Sequence, residues 1–230
     1  MNTNVNLEAA VGVLAFLGTA FVLGLAVLVM IHAIATRKQA RAGKVGLAAL
    51  AVLGIYLVLL LAFSFMSREK VLAFGEEKHF CEIDCHLAYS VANLRKIKTL
   101  GTPPNEATAQ GIFYVVTIRT RFDETTISSQ RGNGLLTPNS RIVTMLDEQG
   151  NSYSPSVEGQ RALAVSQGGG TLLTTPLRPG ESYTTDLVFD LPMDVKNPEL
   201  LMREGAFETH FIIGHENSLW HKQTKFRLES

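Results

Sequence analysis

Two long stretches of the chain are apolar on every side and carry no charged residue, Ala9 to Ala35 and Val45 to Met66. At roughly 1.5 Å per residue, helices over them reach about 40 Å and about 33 Å, against a hydrocarbon core of about 30 Å. Both are predicted to be transmembrane helices. The first could also be read as a secretory signal peptide, but that needs a basic n-region and a shorter apolar stretch of roughly 7–15 residues. Met1 to Leu7 carries no basic side chain.

Beyond Met66 the apolar period changes to two, the mark of half-buried strands. Residues 67–79 read as a charged connector. Ile83, Cys85, Leu87, Tyr89 and Val91 then alternate with Asp84, His86, Ala88 and Ser90, predicting a strand that Gly101-Thr102-Pro103-Pro104-Asn105 ends. In the next run Ile112, Tyr114, Val116, Ile118 and Phe122 share one face, with Thr117, Arg119 and Arg121 on the other. Arg141 to Leu146, a turn at Asp147 to Asn151 and then Tyr153 read as a hairpin. Leu172 to Thr175 leads through Arg178-Pro179-Gly180 into a strand over Tyr183 to Leu191, closed by Pro192. Phe207 to Ile213 and Thr224 to Leu228 are expected to complete the set. Gln167 to Gly170 reads as a flexible loop, since no strand precedes it and no Lys-Ser/Thr pair follows as a phosphate cradle requires.

Seven or so short strands with no long helical pattern predict an all-β antiparallel sandwich over 80–230, behind a helical hairpin over 1–66. Between the helices, the loop 36–44 holds Arg37, Lys38, Arg41 and Lys44 and no acidic residue. Positive charge in a short loop marks the cytoplasmic face, so both termini and the β domain are expected outside. Of 21 Lys and Arg residues, those four lie in the loop and 17 follow Ser67; of 21 Asp and Glu residues all but Glu8 follow it, giving the outer part a net charge of about −3. That balance is unlike the basic surface of a nucleic-acid binder.

The stretch Leu172-Leu173-Thr174-Thr175-Pro176-Leu177-Arg178-Pro179-Gly180-Glu181-Ser182, followed by Leu187-Val188-Phe189-Asp190-Leu191-Pro192, resembles bacterial extracytoplasmic immunoglobulin-like domains of unassigned function. The resemblance implies an immunoglobulin-like sandwich displayed outside the bacterial inner (plasma) membrane, with no shared catalytic residues to carry over. The overall layout is also similar to cytochrome c oxidase subunit II, in which two membrane helices carry an outer β-sandwich and a Cys-x-Glu-x-Cys-x-x-x-His loop holds two copper ions. Cys81 and Cys85 match that spacing. Glu82 stands one position early, however, and Tyr89 occupies the position of the histidine.

The local motif with the most chemistry is Cys81-Glu82-Ile83-Asp84-Cys85-His86, which contains both cysteines of the chain. In an oxidising compartment they are a disulfide pair in waiting. Four residues of extended strand would separate the Cα atoms by about 13 Å, whereas a disulfide needs less than about 7 Å, so this bond demands a turn at Glu82-Ile83-Asp84. The alternative is copper: His79, Cys81, Cys85 and His86 offer thiolates and imidazoles that suit it, with His210, His215 and His221 as further donors. Covalent haem is disfavoured, because Cys-x-x-Cys-His would need one residue fewer. No Gly-x-Ser-x-Gly elbow or His-Glu-x-x-His occurs, so the chain does not read as an enzyme. His32 reads as an interfacial side chain and Trp220 as a core residue.

The functional expectation is therefore a membrane-anchored extracytoplasmic binding or scaffold module, an accessory subunit of a membrane complex. Its expected partners are the lipid bilayer and a membrane protein, met through the Gly12/Gly18/Gly24 helix face or the outer domain. The alternative is a copper-binding or electron-transfer protein.

Overall fold

After a two-residue strand β1 (Asn2–Thr3), the chain enters the helices α1 (Ala9–Ala35) and α2 (Gln39–Met66). The computed structural model describes residues 2–81, 85–128, 130–167 and 170–228. The expected α1 is found unchanged, and both helices are long and apolar enough to cross a membrane. α2 begins six residues earlier than its uncharged run, so Arg41 and Lys44 lie in its first turns and the loop shrinks to 36–38. Basic side chains are good helix formers whose long stems can carry the charge toward water, so they need not end a membrane helix. α1 stops where Thr36 Oγ1 donates to His32 O (2.9 Å) and Arg37 turns left-handed at φ 53°.

The remaining elements are β2 (Lys70–Leu72), β3 (Lys78–Phe80), β4 (Leu87–Leu100), β5 (Ala107–Phe122), β6 (Arg141–Leu146), β7 (Ser152–Tyr153), α3 (Val157–Gln167), β8 (Ser182–Leu191), β9 (Glu199–Glu204) and β10 (Thr224–Arg227). The chain forms two compact units. The β unit takes residues up to Asn4, Glu69–Ala206 and the chain from Gln223; the helical unit takes Val5–Arg68 and Phe207–Lys222.

In the β unit one sheet has the order β1-β3-β4-β5-β8 and the other β2-β10-β9-β6-β7. Most neighbours are antiparallel, as expected, but β1 runs parallel to β3 and β10 parallel to β2, so both sheets are mixed. Parallel partners need long connections, and more than 60 residues separate β1 from β3. The expected connector contains β2 and the start of β3. One hydrophobic core draws on both sheets, including Tyr89, Val116, Ile118, Phe122 and Phe189 from the first and Met145, Leu200, Met202 and Phe226 from the second. On the far side of β5, Phe113 and Val115 pack with Ala162 and Leu163 of α3.

Helix α3 and strand β9 were not anticipated. Ser156 starts α3 as its N-cap, its Oγ accepting from Gly159 N at 3.2 Å. The strand expected over Phe207 to Ile213 is instead a 3-10 turn, Phe207–Phe211, belonging to the helical unit. There Phe207 meets Phe211 edge to face at 5.4 Å and His210 at 5.7 Å, contacts between residues three and four apart that a strand would place on separate levels. Ile83 of the first expected strand lies outside the described residues, as do Gly168 and Gly169 of the expected flexible loop; the strand itself starts at Leu87.

Candidate functional site

The cysteine cluster sits where β3 ends and β4 begins. Cys81 and Cys85 form a disulfide with Cα atoms 4.0 Å apart. That distance is within the limit of about 7 Å that the bond sets; the turn expected at Glu82-Ile83-Asp84 lies outside the described residues. The loop is tied to the rest of the β unit by Asn4: Cys81 N donates to Asn4 Oδ1 (2.9 Å), and Asn4 Nδ2 donates to Glu204 Oε1 of β9 (2.7 Å). A residue at the chain's start thus bridges the disulfide to the second sheet.

His79 points from β3 to Asp123, just past β5, with Nε2 and Oδ2 3.1 Å apart. Asp123 Oδ1 accepts from Thr125 N (3.0 Å) and Thr125 Oγ1 (2.7 Å) and lies 3.3 Å from Arg121 Nη1. Arg121 in turn grips Glu77 bidentately, at 2.8 Å and 2.7 Å. Burial alone would push the Asp123 carboxyl up, but hydrogen bonds from Thr125, His79 and Arg121 outweigh it and hold the group well below the usual carboxylate range. Glu77 is lowered as well, chiefly by the hydrogen bond from Arg121 against the opposing effect of burial. His86 meets the same turn by another route: its carbonyl accepts from Asp123 N (2.7 Å), its Nδ1 lies 2.6 Å from Thr126 Oγ1, and its ring stacks on Phe122 at 5.6 Å. His79 Nδ1 is buried and has no hydrogen-bond partner among the described residues.

A pH dependence follows. Asp123 and Glu77 both ionise more readily folded than unfolded, so their contribution to stability is present above the ordinary carboxylate range of about 4 and is lost as pH falls through their lowered folded values. Urea midpoints followed by circular dichroism should hold steady from neutral pH down to about 5 and fall steeply below about 4. Asp123→Asn should flatten that acid limb while lowering the midpoint at neutral pH.

The other expected donors belong to the helical unit. Exposed His210 contacts Phe207 O through Nδ1 at 2.9 Å, buried His215 accepts from Asn217 N at 3.0 Å, and His221 Nδ1 lies 2.6 Å from Lys222 O. Among the described residues no group of three or more His, Cys, Asp or Glu side chains is placed to hold a metal ion. Trp220, expected in the core, is 66% exposed. Asp123, Asn4 and Glu204 stand outside the candidates the sequence offers, and Arg121 is there only a polar-face strand residue. Of these, Asp123 alone had a local signal, the Asp-x-Thr pattern of a capped turn.

No protein-family model matches the sequence, and no curated protein matches it at a significant level. Among solved structures, the chain is similar to a conserved hypothetical protein from Bacillus anthracis (17% identity over 57% of this chain and 87% of that one, TM-score 0.41). It is also similar to MPT63, a secreted protein from Mycobacterium tuberculosis (13% identity, 70% and 98% covered, TM-score 0.41), and to the yjhA protein from Bacillus subtilis (12% identity, 69% and 99% covered, TM-score 0.42). At these TM-scores the likenesses carry no functional argument.

Proposed function

We propose that the chain is a two-pass protein of a bacterial plasma membrane that holds a disulfide-locked, immunoglobulin-like β unit on the extracytoplasmic face, as a binding or scaffold subunit of a membrane complex. The observation that carries this reading is the outward-facing apolar surface of both helices. Leu14, Phe21, Leu28 and Ile34 on α1 and Leu47, Leu50, Ile55 and Val58 on α2 are all exposed, a surface that water does not tolerate and lipid does. Two independent features support the orientation. The basic residues cluster at the turn between the helices, and the Cys81–Cys85 disulfide belongs to an oxidising compartment. Among the described residues Gly18 and Gly24 have nothing within 4 Å of a Cβ built on them, which leaves small-residue surface on which a partner helix can pack.

Both native cysteines are in the disulfide, so single added thiols report topology cleanly. In intact cells Gln149→Cys should react with a membrane-impermeant maleimide, and Gln39→Cys only after lysis. The reverse pattern overturns the orientation. Gentle detergent extraction should retain a membrane partner in fixed ratio; a chain that always isolates as a bare monomer overturns the scaffold reading.

A copper-handling role remains as a second reading because of His79. Asp123 fixes Nε2, as carboxylates do behind metal-binding imidazoles, and the buried Nδ1 has no partner among the described residues. Copper would need Cys81 and Cys85 as thiolates, so this reading concerns the reduced chain. Elemental analysis of the full chain after copper exposure tests it: stoichiometric copper only with reductant supports it, and none in either state removes it.

A further inference from the structure

The segment Phe207 to Lys222 is long, irregular and rich in exposed apolar side chains, and it belongs to the helical unit rather than to the sheets that flank it in sequence. It is seated closely on both helices. A Cβ on Gly12 of α1 would come 2.7 Å from Ile213 O and 3.0 Å from Ile212 Cγ2. Tyr56 of α2 donates its hydroxyl to Phe211 O, and Tyr56, Leu60 and Ile213 form a buried cluster with Leu7, Ala15, Phe16 and Phe63 packed against it. Asn6 N donates to Gly214 O at 2.9 Å.

The helical positions it touches fix its depth. Twenty residues of helix cover about 30 Å, the thickness of the hydrocarbon core. Counted outward from Ala35 that distance ends near Phe16, and counted from Val45 it ends near Ser64. By that count Gly12 lies about 6 Å outside the boundary, Phe16 and Phe63 at it, and Leu60 and Tyr56 about 6 Å and about 12 Å inside it, so the segment's contacts straddle the outer boundary. Non-helical backbone is tolerated at that level only where protein groups satisfy its polar atoms. The segment turns many of them on itself: Asn217 Nδ2 donates to Thr209 Oγ1 (2.8 Å), Ser218 Oγ to Ile212 O (2.7 Å) and Ser218 N to His215 O (2.9 Å).

Its rim is the opposite. Phe207, Phe211, Leu219 and Trp220 are exposed, and Trp220 stacks on exposed Phe65 at the end of α2, with ring centroids 5.7 Å apart and planes 15° apart. Trp220 also holds a left-handed backbone, φ 60°, a strained conformation for a bulky residue. A strained residue that presents a large ring outward, stacked on the last turn of an apolar helix, fits the aromatic belt at a lipid–water boundary.

We propose that Phe207–Lys222 is a third membrane-contacting element. It does not span the bilayer but lies in the outer-leaflet interface, with Trp220, Leu219, Phe207 and Phe211 set among the lipid carbonyls and upper acyl chains. This rests on the reading of α1 and α2 as membrane spans.

Trp220 is the only tryptophan, so the emission of the unmodified full chain reports this one site. The chain is reconstituted into phosphatidylcholine/phosphatidylglycerol vesicles whose acyl chains are brominated either near the carbonyls or near the terminal methyls, with iodide on both sides as the aqueous quencher. The expected result is the greatest loss of emission with bromines near the carbonyls, a smaller loss with bromines near the chain ends, and weak quenching by iodide. Strong iodide quenching without bromolipid quenching overturns the proposal, as does maximal quenching by chain-end bromines or resistance to every quencher. Alkaline carbonate extraction of the same vesicles separates the two readings. A chain that stays in the bilayer while iodide alone quenches Trp220 removes only the interfacial element; a chain that is extracted removes the membrane spans as well.

Discussion

Gly111→Ala should abolish accumulation of the folded β unit or lower its stability by about 4 kcal/mol or more, placing it in the exceptional tail of single substitutions. A Cβ at Gly111 would lie 1.8 Å from Leu191 O and 2.6 Å from Leu191 C, backbone atoms of the neighbouring strand β8. Glycine inside a strand often marks such close approach of another backbone. The strand has little room to retreat. Asp190 accepts from Gln110 N (2.7 Å) and Gly111 N (3.0 Å), and Lys98 Nζ donates to the carbonyls of Ala109, Gln110 and Gly111 at 2.8, 3.1 and 2.8 Å. Circular dichroism and urea titration of the purified chain measure the effect. Gly18→Ala is the control, because no described residue lies within 4 Å of its added methyl; it should leave the midpoint unchanged or slightly raised.

Lys78→Ala is expected to cost about 3 kcal/mol or more, through a cavity and two carbonyls that lose a charged donor. Lys78 is 0% exposed. From β3 of one sheet its Nζ donates to Met202 O (2.7 Å) and Thr224 O (3.1 Å), on β9 and β10 of the other, and sits 4.8 Å from the Phe80 ring. The side chain therefore acts as a staple between the sheets. Lys78→Met keeps most of the stem and removes the donor, so the difference between the two variants in urea titration separates packing from hydrogen bonding. Should Lys78→Met lose as much as Lys78→Ala, the donor carries the effect; equality of Lys78→Met with the parent would show that burial of the stem suffices.

What could be read from the chain follows from where burial is one-sided. β6 and the Thr117–Phe122 half of β5 have one face in the core and a more open one opposite, so their alternation is plain, whereas Phe113 to Val116 of β5 and Val188 and Phe189 of β8 are buried on both faces. In β9 Leu200, Leu201 and Met202 are all buried, and a strand buried on both sides has no period to detect. Helix α3 was hidden for a related reason: its buried stripe is narrow, centred on Ala162 and Leu163. Phe207 to Ile213 deceived in the other direction, since Phe207, Thr209, Phe211 and Ile213 mimic a two-residue period within a 3-10 turn. The cysteine pair and its need for a turn were legible because disulfide geometry is local. The surroundings of the pair were not: Asp123 reaches His79 from 44 positions away, Asn4 reaches Cys81 from 77 and Glu204 from 200. No local rule connects residues at those separations.

The place of β10 has a consequence for how the protein is made. Thr224–Arg227 lies between β2 and β9 and is bonded to both. While the chain is being synthesised, β2 waits without its partner and β9 offers a bare edge to any strand that passes. The second sheet closes only when residues 224–228 arrive and bring Phe226 and Leu228 into the core. A chain that stops before Thr224, or is nicked there by a protease, therefore keeps an open-edged sheet, and surveillance proteases would meet it as a degradation substrate.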